Sequence, residues 1–266
     1  MSKSKSYKLS IITINFNNLL GLKRTVESVI NQTWKEFEYI IIDGGSTDGS
    51  AEYIQEMQEH FQYWVSERDK GIYNAMNKGI SVAKANYIQF LNSGDVFFNS
   101  DTVEKVTREI VLEGKHRTGY IGSTKEMDKL VAHEPPEIIS LSYLFKTALP
   151  HQGMFFPREC FSKIIYNEDY KIASDWILCV ELLLAGFKFQ TFRYVDLVAI
   201  NENYGASSSM LYHEERKDYI TKHPEIFDGI GELFEIRRSY KNLLAVKKAN
   251  LANRLIWRFM RKISGK

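Results

Sequence analysis

The sequence predicts an α/β fold, with a mixed but mostly parallel central sheet, helices on both faces and a helical C-terminal extension. Three observations lead there. Strand and helix patterns alternate four times within the first 95 residues. The strand runs, such as the one from Asn86 to Leu91, are apolar and bounded by turn formers, as buried parallel strands are. Each run also ends in small polar or acidic residues.

The elements follow in order. Residues 8–15 (KLSIITIN) are β-branched and apolar, a first strand. Asn17 and Asn18 open a helical pattern from Leu19 to Gln32, with Leu22, Val26, Val29 and Ile30 on one face. A second strand over 37–42 runs into Asp43 and the small residues of 44–50. A helix is expected over 50–60, a strand over 62–65, a helix over 71–85 and a fourth strand leading to Asn92-Ser93-Gly94-Asp95. The alternation then loosens. It predicts a helix at 101–113, short strands near 118–121 and 129–132, a break at Pro135-Pro136 and a helix near 138–146. A strand at 153–156, a helix at 173–185, a strand-like run over 187–200 and a loop at 201–209 complete it. Residues 1–98 read as a nucleotide-binding half and 99–236 as an acceptor half of one catalytic domain, with 237–266 as a basic tail.

Composition narrows the class. Hydrophobic content of 44% and charged content of 26% fit a soluble globular protein. Cys160 and Cys179 lie in apolar surroundings with no metal spacing and no disulfide framework, which suits a reducing cytosol. The basic N-terminus has no apolar run behind it, so no signal peptide is expected, and no window reaches 18 consecutive apolar residues. The net charge of +2 conceals a split: 237–266 carries ten Lys or Arg and no acid, leaving 25 basic against 33 acidic residues in 1–236.

Chemistry collects at the strand ends. Thr13 and Asn15 close the first strand, Asp43 the second, Glu67-Arg68-Asp69 the third and Asp95 the fourth. In open α/β sheets ligands bind beyond those carboxyl ends. Asp95 beside Gly94 suits a divalent cation that holds a diphosphate, although Asn, Ser, Gly and Asp are also ordinary turn residues. Asp43 can accept from a base N–H or a ribose hydroxyl, or serve as a turn or helix cap, and the backbone of 44–46 can line the same pocket. No GxGxxG follows the first strand and no GxxxxGK[ST] occurs, which disfavours the dinucleotide fold and the P-loop.

Four stretches, Ser10–Asn17 (SIITINFN), Ile41–Ser50 (IIDGGSTDGS), Ser66–Gly79 (SERDKGIYNAMNKG) and Tyr87–Asp95 (YIQFLNSGD), resemble in order the inverting, nucleotide-sugar-dependent glycosyltransferases of family 2, which have the GT-A fold. Leu149–Pro157 (LPHQGMFFP) and Ile172–Gly186 (IASDWILCVELLLAG) extend the resemblance to about residues 10–200. It implies that Thr13, Asn15 and Asp43 cradle the nucleoside, that Asp69 reaches the nucleoside or donor sugar, and that Asn77 supports that wall. Asn92, Ser93, Gly94 and Asp95 stand in place of the family's acidic metal motif. Asn92 and Gly94 depart from it, leaving Asp95 as the direct ligand of Mn2+ or Mg2+. Asp175 is implied as the general base, the alternative being a plain helix N-terminal carboxylate. His151, Gln152 and Trp176 are implied at the acceptor pocket, and His213 with the 201–209 loop as a cover over the diphosphate.

The implied reaction moves a sugar from a nucleoside diphosphate, UDP, to a hydroxyl of a glycan on a lipid carrier, in the cytoplasm at the inner face of the membrane. The tail has apolar residues at 244, 251, 255, 256, 259, 260 and 263 between basic ones, a pattern for a membrane interface or a protein groove, with nucleic acid not expected. Two rivals stand beside this reading. A nucleotidyltransferase would want a basic, Gly-rich loop after the first strand, where Asn15-Phe16-Asn17 stands; a non-catalytic nucleotide-sugar binder is suggested by the thinned metal motif, against the presence of both Asp95 and Asp175.

Overall fold

The computed structural model describes residues 8–129, 132–202 and 209–227. Two compact units result, Met1–Arg216 and Lys217–Lys266, so the boundary falls upstream of residue 236. The basic tail lies outside the described residues.

The first unit is built on a seven-stranded sheet. Strands β1 (Leu9–Asn15), β2 (Phe37–Asp43), β3 (Tyr63–Ser66) and β4 (Tyr87–Phe90) are mutually parallel where they pair, joined through helices α1 (Leu19–Ile30), α2 (Ser50–Glu56) and α3 (Ile72–Val82). Every residue of β1 and β2 is buried, as strands covered on both faces must be. Residue parity divides the two faces. Leu9, Ile11, Tyr39 and Ile41 pack with Leu22, Val26 and Val29 of α1 and with Val103 and Val106 of α4 (Thr102–Glu113). The opposite face carries Ile12 and Ile42, against which Gly79 brings α3 so close that a Cβ there would stand 2.6 Å from Ile12 Cγ2.

Beyond β4 the sheet changes direction. The order is β3-β2-β1-β4-β8-β6-β9, in which β8 (Met154–Pro157) is antiparallel to both β4 and β6 (Thr118–Ile121), while β6 and β9 (Lys188–Thr191) are parallel. The two halves expected from the sequence therefore share one sheet. A second, three-stranded sheet joins β5 (Val96–Phe97), β10 (Ala199–Asn201) and β7 (Thr124–Glu126). Helices α5 (Leu141–Leu144), α6 (Ser174–Leu184) and α7 (Met210–Lys222) complete the described elements.

Three expectations need correction. The helix expected over 50–60 ends at Glu56 and continues as a single 3-10 turn, Gln58–His60. The strand expected near 129–132 forms earlier, at Thr124–Glu126, where Thr124 exchanges backbone hydrogen bonds with His133 and β10 pairs alongside; residues 130–131 lie outside the described residues. The run over 187–200 is two strands in different sheets. The buried Glu109 accepts from the amides of Arg193 at 2.7 Å and Tyr194 at 3.1 Å, and this carboxylate turns the chain between them.

Candidate active site

The carboxyl edge of β1–β4 gathers the polar groups. Asp43 is fully buried and its two oxygens accept five hydrogen bonds: from Asn15 Nδ2 (2.7 Å), Ser46 Oγ (2.6 Å), Ser66 Oγ (2.6 Å) and the amides of Gly45 (3.2 Å) and Ser46 (2.9 Å). Burial alone would raise its pKa, but these donors hold the carboxyl below the usual range. Asp43 thus shapes the 44–46 loop from within. The Asp69 carboxylate accepts from Gly71 N at 2.9 Å and lies against Gly44, so the loops after β2 and β3 face each other.

Thr13 is also fully buried, donating to Leu91 O at 2.9 Å and sharing a hydrogen bond with Tyr39 at 3.1 Å; it ties β1 to β4 rather than opening onto a pocket. Asn77 is turned toward the other half of the chain. It donates to Tyr166 O and Glu168 Oε1, each at 2.9 Å, and accepts from Tyr166 N at 3.1 Å, clamping the segment that leads to α6. Every polar atom of both side chains is engaged within the chain.

The turn after β4 is held by Thr25 of α1, whose hydroxyl accepts from Gly94 N (2.9 Å) and donates to Asp95 O (2.7 Å). Gly94 has φ +105°, a left-handed conformation that favours glycine. A Cβ there would also collide with the carboxylate of Glu202, which follows β10 and is ion-paired with Arg24. Ser93 donates to Asn18 O at 3.1 Å. Thr25, Arg24 and Glu202 escape sequence reasoning: two sit inside a helix pattern and the third follows a strand from another sheet.

Asp95 is 5% exposed, and burial pushes its pKa up to about 6 against the opposing pull of His151, Gln152 and the Asn92 backbone. His151 lies in a 3-10 turn (His151–Gly153) at the start of β8. Its Nε2 is 3.0 Å from Asn92 Nδ2 and its Nδ1 is 3.4 Å from Asp175 Oδ2. With Asn92 donating, Nε2 accepts and Nδ1 carries the proton toward Asp175. Burial opposes the imidazolium, but Asp175 and Asp95 together outweigh it and raise the histidine's pKa. The structure thus joins Asp95, Asn92, His151, Gln152 and Asp175 into one cluster across three elements.

Trp176 lies elsewhere. It is 2% exposed, donates Nε1–H to Leu144 O at 2.8 Å and is covered by the Arg216 guanidinium 4.5 Å from its ring. It is a core residue, and its ring faces are covered rather than offered to a sugar. His213 is on α7, and 203–208 of the expected covering loop lie outside the described residues.

Among the described residues no three of His, Cys, Asp and Glu stand together as a self-contained metal cage. The cluster still fits a cation shared with a diphosphate, which needs only one or two protein carboxylates. Asp95 supplies a buried one, and Asn92 Oδ1 beside it has no partner among the described residues.

A half sheet with polar groups along its carboxyl edge, extended by mixed strands, with His151 ahead of β8 and Asp175 in the first turn of α6 facing each other, is the arrangement of a GT-A fold. The chain belongs to Glycosyl transferase family 2, whose profile matches residues 10–155. An uncharacterized glycosyltransferase of Mycobacterium tuberculosis is 39% identical over 174 residues, covering 63% of this chain and 65% of that protein. A PGL/p-HBAD biosynthesis glycosyltransferase of Mycobacterium bovis is 25% identical over 223 residues, 77% of this chain and 81% of its own length. In structure the chain is similar to S. aureus TarS 1-349 in complex with UDP-GlcNAc (TM-score 0.62, 16% identity, 76% of this chain and 61% of that one). It is also similar to the mannosyltransferase PcManGT of Pyrobaculum calidifontis with GDP-Man and Mn2+ (TM-score 0.56, 13% identity, 77% and 60%).

Proposed function

We propose that this glycosyltransferase moves a sugar, with inversion, from a UDP-sugar to a hydroxyl of a glycan carried on a lipid. One observation carries the mechanism: His151 stands between the diphosphate-side residues Asn92 and Asp95 and the carboxylate of Asp175. Asn15, Asp43 and Asp69 form the nucleoside side of the pocket, with Thr13 and Asn77 behind it. A divalent cation, Mn2+ or Mg2+, would be held by Asp95 and would neutralise charge on the diphosphate. Asp175 takes the proton of the acceptor hydroxyl as its oxygen attacks the anomeric carbon, while the bond to UDP breaks and its electron pair stays on the phosphate oxygen. His151, donating through Nδ1, orients Asp175 and lies with Gln152 on the acceptor side. The UDP-GlcNAc complex of TarS and the GDP-Man and Mn2+ complex of PcManGT support a nucleotide-sugar donor and a metal.

The test is Asp175→Asn. Binding of UDP with Mn2+, by calorimetry, is expected to stay within a few-fold of wild type. Release of UDP from UDP-GlcNAc, UDP-glucose or UDP-galactose, each tried separately, should fall by roughly 10²–10⁴, the contribution of a positioned base. Wild-type turnover in the variant would move the base to another residue, with Asp69 and His151 next to be tested.

A further inference from the structure

Helix α6 starts without a side-chain cap, because Ala173 occupies the cap position. The amides at its mouth are nevertheless taken. Glu215, on α7, accepts from the amides of Lys171 (2.8 Å), Ile172 (2.9 Å) and Ala173 (2.9 Å). Tyr73, on α3, donates its hydroxyl to Ile172 O at 2.7 Å, and the Tyr73 hydroxyl oxygen in turn lies against the amides of Ser174 and Asp175.

This arrangement bears directly on Asp175, which sits in the first turn of α6. An acidic side chain there ordinarily turns back onto free backbone amides, which attract it by hydrogen bonding and by the helix dipole. Here Glu215 and Tyr73 have taken those amides. Asp175 Oδ1 has no partner among the described residues and Oδ2 faces His151.

We propose that Glu215 is a positioning residue for Asp175. By occupying the amides ahead of α6 it keeps the Asp175 carboxylate off its own helix backbone and turned toward the reacting hydroxyl. The inference rests on the reading of Asp175 as the general base. A carboxylate suits the task because two oxygens serve three donors and its charge matches the positive end of the helix. The neighbouring Arg216 steadies the same turn: its guanidinium covers Trp176 and donates to Leu144 O (3.2 Å) and Phe145 O (3.1 Å). Two consecutive residues of α7 thereby grip the start of α6, one by its backbone and one by its first aromatic side chain.

In Glu215→Ala, kcat for UDP release from the three UDP-sugars is expected to fall about 10- to 100-fold, the scale of a misplaced catalytic group. The Kd for UDP with Mn2+ should not move. Glu215→Gln, which keeps an oxygen acceptor, should recover most of the loss. Should Glu215→Ala fail to fold, Glu215→Asp, too short to reach all three amides, takes its place. The deciding variant pairs the change with Asp175→Asn. If Glu215 acts through Asp175, adding its loss costs no further turnover. A further fall in the double variant, an equal weakening of UDP binding, or unchanged kcat in Glu215→Ala would each overturn the proposal. A crystal structure of Glu215→Ala gives a second reading, with Asp175 expected on the amides of 171–173; Asp175 still facing His151 would also overturn it. If Asp175→Asn alone keeps wild-type turnover, the general-base reading has failed, a result distinct from any failure of Glu215.

Discussion

Asp95 carries a pH signature of its own. Its pKa stands at about 6 in the fold against 3.8 ordinarily, equivalent to about 3 kcal/mol. Below pH 3.8 the group is protonated in both the folded and the unfolded chain and costs nothing. Between 3.8 and about 6 the unfolded chain gives up the proton first, so stability drains away as pH rises and the full cost is present above 6. In EDTA, melting temperature measured from pH 4 to 7 should therefore decline less for Asp95→Asn than for wild type; parallel profiles would contradict the assignment. Asp43 behaves in the opposite sense, since its lowered pKa adds stability that disappears in acid. Asp43→Ala strands Asn15, Ser46 and Ser66, and is expected to cost about 2 kcal/mol and to weaken UDP binding while kcat at saturating donor persists. A loss confined to kcat would contradict a binding role. At this scale sequence alone could not separate Thr13, Asn77 and Trp176 from Asn15 and Asp69. Only packing reveals that the first three spend their hydrogen bonds inside the chain, whereas Asn15, although bonded to Asp43 and Ser46, keeps an Oδ1 with no partner among the described residues.

Among the elements, α3 carries the tightest constraint. Gly79 sits over Ile12, a fully buried β-branched side chain with no room to yield. Alanine at 79 would gain up to about 1 kcal/mol of helix propensity but would force α3 off the sheet, at about 1–3 kcal/mol for overpacking. Net destabilisation of Gly79→Ala by about 1 kcal/mol, read from urea unfolding, is the expected outcome, and a stabilised variant would refute the close packing. Because Tyr73 and Asn77 ride on α3 and hold 166–172, the same variant should also lower turnover. The first four strands and their helices were legible because strand and amphipathic helix alternate regularly there, led by the fully buried seven-residue runs of β1 and β2 and by α1, which Asn18 caps. The later strands were harder. They are three or four residues long, reverse direction and change sheets at a bend set by Glu109, a contact across 84 positions of chain that no local pattern encodes.

For the whole molecule, charge is the property to test. Residues 237–266 hold ten basic residues and no acid, while the remainder carries 33 acidic against 25 basic. Near an anionic leaflet a segment with ten basic residues and no acid would gain about 1 kcal/mol per charge. No helix among the described residues is long and apolar enough to cross a membrane. Deleting 237–266 should leave UDP binding intact and reduce co-sedimentation with phosphatidylserine-containing vesicles at low salt. Equal co-sedimentation of the two chains would remove the membrane role.

The reversed strand β8 also governs the order in which the chain can assemble. It lies between β4 and β6, although β6 precedes it in sequence. As the chain is synthesised, β6 therefore emerges with no neighbour to pair with, and β4 keeps one open edge until Met154–Pro157 arrives. An open edge on a sheet is a template for unwanted pairing, and closing it requires a loop of more than sixty residues from β4. A nascent chain stalled before Met154 would carry β1–β4 with that edge exposed; the arrival of this four-residue strand covers it, while the outer edge of β6 waits for Lys188–Thr191.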